Sequence, residues 1–395
     1  MNWDLFFIII FYGLILTIFF LYRSKFEVQN KIFVLYKTKL GIKLMDKWAK
    51  KFPRALRILG YMGVVVGFLG MFFIFYILFK GAINLLISPV AQPVLAPVLP
   101  GVKIAGLPTL SFWYWIISIF IVALVHEFSH GLLSRVNKIK VKSSGFAFLG
   151  PLLAAFVEPD EKQVEKQKNK NQLSIFAAGP FSNILLAIVF LLISIFIISP
   201  IASSIIEPSG IIIVALEEDK PAELVGMQAG ELIEEINNIK INSLENFTSI
   251  IDKTKPNDKI NIKTNVSSYN ITTIENPQNE SKSFLGITLS QNTIIKNGIE
   301  ENHRYLIPLF FWVSKLIFWL YVINLGVGLF NLLPLGPVDG GRMFRTGISY
   351  FIKNKKRVNR IWNYVTFFCL FLIFVNLLPY IIKLILFILK PFFNF

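Results

Sequence analysis

The chain is poor in the residues from which most active sites are built. It has one cysteine and three histidines in 395 residues, and beyond Glu301 its only acidic side chain is Asp339. The single Cys369 excludes a disulfide framework and a cysteine-built metal site. What is abundant is apolar: 54% hydrophobic residues, 39 phenylalanines and a mean hydropathy of +0.60. That composition belongs to a polytopic membrane protein rather than a soluble one. The N-terminus, Met1-Asn2-Trp3-Asp4, has neither the positive n-region nor the small-residue cleavage site of a secretory signal. It reads as the start of a retained span.

A formal net charge of +16 would suggest nucleic acid on a soluble chain. Here the charge is divided by region. Residues 199–304 hold 15 of the 24 acidic residues and 9 of the 40 basic ones, a balance of −6, which leaves +22 elsewhere. The positive charge therefore belongs to loops flanking the membrane, and a nucleic-acid role loses its support.

Apolar runs at 5–22, 58–79, 110–133, 173–198, 307–330 and 361–382 are long enough to cross a bilayer. Between the first two lies a loop of eleven basic residues, Lys25 and Lys31 among them, against Glu27 and Asp46. Gly60, Gly63, Gly67 and Gly70 give the second run a face for close helix packing. Five prolines between Pro89 and Pro108 exclude a regular helix from the following stretch. Residues 145–157 are apolar but too short to span, and read as a re-entrant hairpin or a strand pair. Residues 384–395 read as a short apolar tail. The basic regions fall on one side of the membrane and the acidic segment on the other, which assigns them to the inside and the outside respectively. Within the acidic segment, β-rich runs at 210–216, 261–266 and 271–274 alternate with short helices at 221–227 and 244–252. Sequons begin at Asn246, Asn265, Asn270 and Asn279; chance in an Asn-rich stretch and glycosylation explain them equally well.

The third run carries His126-Glu127-Phe128-Ser129-His130 near its inner end. Histidines four apart share one helix face and can converge on one metal ion. Glu127 then reaches a water on that ion without binding the metal. Ionisable groups are costly in hydrocarbon, so such a cluster points to function. A polar pair joining two helices is the alternative, and it does not account for the spacing. A catalytic metal site usually has three protein ligands. His303 lies in the outer segment, so Asp339 is the best third candidate. It reads either as a helix N-cap beside Gly340-Gly341 or as a ligand, and its place near the same leaflet favours the ligand.

These motifs resemble the site-2 protease family of intramembrane zinc metalloproteases. His126 to His130 matches that family's His-Glu-x-x-His. Gly179-Pro180-Phe181-Ser182-Asn183 looks like its Gly-x-x-x-Asn element. Asn331 to Gly340, with Pro334, Pro337 and Asp339, looks like its Asn-x-x-Pro…Asp-Gly element. The resemblance implies a Zn2+ site of His126, His130 and Asp339, with Glu127 as catalytic base. It implies that Asn183 and Asn331 support the substrate or intermediate; glue between helices is their other reading. Residues 221–233 resemble a PDZ domain, with Glu231 where such domains often carry Asp. That domain either captures a peptide or chain terminus on a strand edge or is a folded spacer limiting access.

The expected fold is a polytopic α-helical membrane protein with about six transmembrane helices, a re-entrant segment and an inserted α+β PDZ-like extracytoplasmic domain. Its divisions are an N-terminal membrane region at 1–87 and the first part of the catalytic core at 88–198. The PDZ-like domain follows at 199–305, and the second part of the core with a C-terminal helix at 306–395. The resemblance implies hydrolysis of membrane-protein substrates, single-span ones above all, in the cell membrane near the cytoplasmic leaflet. A transporter with a structural metal and a silent peptide-binding scaffold are the competing classes. The first needs ionisable residues spread along several spans, and the second leaves the intact motif unexplained.

Overall fold

Apolar backbone in hydrocarbon has to satisfy its own hydrogen bonds, which helices do within one segment. The computed structural model describes residues 3–23, 26–29, 33–88, 91–102, 104, 107–149, 152–277, 279–296, 305–336 and 338–389. Lys25, Lys31, Pro89, His303 and Pro337 lie outside these, as do Gly150 and Pro151 of the re-entrant segment. The chain forms two compact units, Met1–Ser194 with Trp312–Phe395, and Ile195–Phe311.

In the first unit, α1 (Trp3–Leu21) leads to β1 (Glu27–Gln29), β2 (Phe33–Thr38), α2 (Ile42–Lys51) and α3 (Pro53–Ile87). Then come α4 (Phe112–Val136), β3 (Val141–Leu149), β4 (Leu152–Pro159), α5 (Glu161–Glu165) and α6 (Asn169–Ile193). A π-helical turn (Ser194–Ile198) and α7 (Ser199–Ile205) continue α6. Among the described residues, five helices are long and apolar enough to cross a membrane. They are α3, α4, the run Asn169–Ile205, α10 (Leu306–Asn331) and α12 (Lys355–Leu389). The apolar part of α1, Leu5–Leu21, is a shorter apolar helix beside these five. The expected separate tail is absent as far as Leu389, because α12 runs through Pro379 without a break.

In lipid, helices associate by close packing rather than by removal from water. The glycine face of α3 shows how. A Cβ on Gly60 would meet Leu133 and Ser174, on Gly63 Phe181, on Gly67 Met343, and on Gly70 Leu332. Backbone replaces side chain along this stripe, and α3 sits against α4, α6 and the segment that follows α10.

The basic loop is structured, contrary to the expectation of a plain connector. Residues 145–157 form the strand pair β3–β4, and β1 and β2 extend it into an antiparallel sheet of order β1-β2-β3-β4. Phe33-Val34-Leu35-Tyr36 is a β-prone run that the surrounding lysines obscured. Gly145 lies so close to β2 that a Cβ would collide with the Tyr36 carbonyl. Beside the sheet, Met45 and Ala49 of α2 pack with Leu132 and Val136 of α4, and Asp46 pairs with Arg135. The N-terminal region therefore does more than anchor the chain: it braces the helix that bears the histidines.

The second unit is built on an isoleucine core. β5 (Ile206–Leu216), α8 (Pro221–Leu224), β6 (Leu232–Ile236), β7 (Ile239–Lys240) and α9 (Leu244–Ile251) come first. They are followed by β8 (Lys259–Thr264), β9 (Ser268–Thr272), β10 (Ile274–Asn276), β11 (Asn279–Phe284) and β12 (Ile287–Ile295). The sheet order is β12-β5-β6-β8-β9, with β7 paired to β6 and β10–β11 a separate hairpin. Ile260 and Ile262 point inward from β8 while Asn261 points out, the period-2 pattern of a half-buried strand. With Ile211, Ile213, Ile233 and Ile236 they form the core, each worth ~1.5–3 kcal/mol against exposure to water. Asn237 and Asn238, both at positive φ, make the two-residue turn between β6 and β7. At Glu231 the longer side chain accepts from the Gln228 N–H (2.8 Å), Thr264 Oγ1 (2.6 Å) and Tyr269 Oη (3.0 Å).

Candidate active site

Helical spacing stacks His126 and His130 on one face of α4, with ring centroids 4.8 Å apart. α6 crosses that face at Gly179. A Cβ there would lie 2.4 Å from His130 Nε2 and 2.6 Å from His126 Nε2. Any other residue would put its side chain where the two imidazoles point, so glycine is required by the site itself. Pro180 follows, and it has no N–H to offer the Phe176 carbonyl one turn back. The neighbouring Ile175 carbonyl accepts from His130 Nδ1 at 2.7 Å.

Asp339 comes from the other half of the unit. After α10, residues 332–336 form turns, and α11 (Asp339–Phe351) begins. Gly340 and Gly341 lie against the Leu332, Leu333 and Leu335 carbonyls, too close for any Cβ. That approach carries Asp339 to the histidines. Val338 occupies the N-cap position and Asp339 the first helical one, and the Asp339 carboxylate leaves the helix end uncapped. Its Oδ2 instead stands 3.0 Å from His126 Nε2 and 3.1 Å from His130 Nε2, and the two Nε2 atoms are 3.2 Å apart.

This triangle can be tested against a metal. A tetrahedral zinc with bonds of ~2.0–2.1 Å separates its ligand atoms by roughly 3.3–3.4 Å. The donor set of two imidazoles and a carboxylate also suits zinc. His130 Nδ1 faces a carbonyl and therefore carries a proton, so in the neutral imidazole the Nε2 lone pair is the one directed toward Asp339 and His126. His126 Nδ1 faces the Asn183 amide at 3.0 Å, and Asn183 Oδ1 is buried without a partner. Amide orientations are interchangeable at fixed heavy-atom positions. Turning Oδ1 toward Nδ1 gives that oxygen a donor, leaves Nδ2 in the unpartnered position instead, and frees the second Nε2 lone pair. Two lone pairs and a carboxylate then face one point, an arrangement that a cation resolves. The residues fit the metal.

Glu127 Oε2 accepts the Val157 N–H of β4 at 3.0 Å. Asn331 ends α10, and its amide donates to the Val327 carbonyl of its own helix at 3.0 Å. The structure therefore brings His126, His130, Asp339 and Asn183 into direct contact, sets Glu127 beside them on α4, and leaves Asn331 bonded to its own backbone. Sequence reasoning missed the Gly179 contact and the partners Ile175 and Val157. Backbone groups carry no residue signature, so only the glycine was in principle readable.

The family model for peptidase family M50 matches residues 114–373, which takes in every residue of this site. The chain belongs to peptidase family M50, the site-2 protease family. An uncharacterised protein of Methanocaldococcus jannaschii is 31% identical over 370 residues, 90% of each chain. A Clostridium acetobutylicum protein, named as a putative zinc metalloprotease, is 22% identical over 60% of this chain and 86% of its own. Among solved structures, the PDZ domains of SdrC-like proteins from Listeria monocytogenes and Listeria innocua are similar to part of the chain. The first is 26% identical with a TM-score of 0.18, covering 20% of this chain and 87% of its own. The second is 23% identical with a TM-score of 0.19, covering 21% and 97%. The M50 protein described here is a multi-pass membrane protein of the metalloprotease class, with PDZ-type structural neighbours.

Proposed function

We propose that the chain is an intramembrane zinc endopeptidase that cuts peptide bonds in or near the transmembrane helices of membrane-protein substrates. The observation that carries this reading is the meeting of His126 Nε2, His130 Nε2 and Asp339 Oδ2 within 3.0–3.2 Å, with both histidines on a helix long and apolar enough to cross a bilayer. His126, His130 and Asp339 are the ligands. A zinc ion held there would supply Lewis acidity toward the scissile carbonyl and would lower the pKa of a bound water toward neutrality.

Glu127 is the base. The Val157 N–H holds Oε2, and Oε1 remains to take a proton from the attacking water and pass it to the leaving amine. Ile175 and Asn183 orient the two imidazoles from behind. With Asn183 committed there, substrate support falls to Asn331. Peptide bonds in a substrate helix already have partners, so a substrate unwinds before attack. β4 is the terminal strand of its sheet, and its outer edge beside Glu127 offers the unwound segment a strand to pair with. In this reading the site lies near the cytoplasmic leaflet of the cell membrane. The PDZ-like domain lies outside and receives a peptide or chain terminus.

The test is Glu127→Gln in detergent-purified protein with a single-span model substrate. Zinc is expected to remain at one per chain while cleavage falls by ~10²–10⁴-fold. Cleavage that persists removes Glu127 as the base. A wild type that binds zinc and cuts nothing returns the metal to a structural or transport role.

A further inference from the structure

A cavity of about 1010 Å³ opens between α5, the start of α6, α11 and the start of α12. None of His126, Glu127, His130 and Asp339 lines it. Its walls are basic: Lys162, Lys166, Arg345, Lys353 and Lys355 all face it, and none has an ion-pair partner among the described residues. The opposing charge is small. Glu161 is engaged by Arg342 at 2.6 Å, which leaves Glu165 alone against the five.

Basic residues at the end of a span usually fan into water, where solvent screens them. These line one concave surface, each still exposed to solvent, where like charges reinforce one another and draw in an anion. The arrangement is specific at Arg345. Its guanidinium stands 5.1 Å from the centroid of the Trp362 ring, and its Nε donates to Asn359 Oδ1 at 3.0 Å. Both contacts fix the plane of the group and leave its terminal nitrogens to donate in parallel, the geometry that a phosphate accepts.

We propose that this cavity binds a phosphate-bearing anion, seated between Arg345, Lys353 and Lys355 against the Trp362 wall. Several convergent cations suit a group with more than one negative charge better than a single carboxylate. The volume, near the upper end of the range for small-ligand sites, holds the phosphate and the body that carries it. Two of the framing helices, α6 and α12, are membrane-crossing by length and composition. An anionic phospholipid headgroup is therefore one source of this chemistry, and a free phosphate compound is the other.

The experiment is a native mass spectrometry titration of the full-length protein in neutral detergent. The probes are phosphatidylglycerol, phosphatidylcholine and inorganic pyrophosphate, each in its own arm. Saturable binding of phosphatidylglycerol but not of the other two assigns the lipid source; saturable pyrophosphate binding assigns the free phosphate. In either case the Arg345→Gln/Lys353→Gln/Lys355→Gln variant should weaken binding tenfold or more. A control of equal charge, Lys39→Gln/Lys43→Gln/Lys47→Gln on the basic segment around α2, should change it less than twofold. Should the triple variant fail to fold, Arg345→Lys keeps the charge and loses the planar fork, and a threefold or greater weakening is expected. Equal weakening in cavity and control variants, unchanged binding in Arg345→Lys, or no saturable binding of either phosphate probe overturns the proposal.

Discussion

Glu231 in one unit and Asp339 in the other are both largely withdrawn from water, and their surroundings differ in kind. Glu231, 5% exposed, accepts hydrogen bonds from an amide, a hydroxyl and a phenol of its own unit. Every donor is neutral and nothing is left over, which is how a buried polar group holds a fold together. Asp339 faces two imidazole nitrogens whose partner nitrogens are already engaged by Ile175 and Asn183. In their neutral form these rings present Nε2 lone pairs to the same point as the carboxylate. A buried carboxylate ringed by fixed donors is structural, and one that shares a point with two imidazole nitrogens is suited to a cation.

The sharpest test replaces each in turn. Asp339→Ala is expected to abolish zinc binding and cleavage together, read by metal analysis and the single-span substrate assay. Glu231→Ala should leave zinc stoichiometry unchanged and cost the inserted unit ~1–3 kcal/mol, since three donors lose their acceptor. Hydrogen exchange of β6, β8 and β9 in the full-length protein would register that loss. Zinc loss in Glu231→Ala would erase the distinction.

Gly179→Ala probes the same contrast with a single methyl. The new Cβ would sit 2.4–2.6 Å from both Nε2 atoms, in the space that the ligands enclose. Zinc affinity should fall more steeply than for any substitution behind the imidazoles, while the helix itself gains slightly from alanine. Normal zinc content in this variant would mean that the metal sits elsewhere.

Asn183→Leu removes the acceptor of His126 Nδ1 at nearly constant volume. Outer partners of metal-bound histidines are worth ~10–100-fold in metal affinity, so an intermediate loss is expected, with Asn331→Leu leaving zinc affinity unchanged. If Asn183→Leu keeps full affinity but lowers cleavage, Asn183 touches substrate instead.

How much of this was readable in advance follows from where the information resides. His126 and His130 are two of only three histidines and Asp339 is the one acidic residue beyond Glu301, so composition and spacing marked them, with Glu127 between the histidines, as the candidates that the structure brings near one another. The helices could be read because hydrocarbon enforces long apolar runs. The sheet β1–β4 was half visible: residues 145–157 read as a strand pair, but Phe33–Thr38 lay inside a lysine-rich stretch that resembled a loop. Its strand state depends on β3, more than a hundred residues away, and no local pattern encodes such a pairing. The carbonyl of Ile175 and the N–H of Val157 belong to the backbone and were out of reach altogether.

Tyr269 carries the smallest expected effect and ties the inserted unit's stability to pH. Burial, and then the hydrogen bond to Glu231, raise its phenol pKa above the ordinary value. The folded unit therefore holds this proton more tightly than the unfolded chain does. The stabilisation is complete below the ordinary tyrosine pKa of about 10 and declines as pH rises through the raised folded value. Tyr269→Phe deletes the titrating group and the donor together. The variant should be slightly less stable at neutral pH, and it should lose less than wild type when the solution is taken alkaline. Exchange rates of β8 and β9 in the two proteins, measured across that range, give the difference directly. Parallel curves would mean that the Glu231 contact is too weak to matter, and that Gln228 and Thr264 hold the carboxylate by themselves.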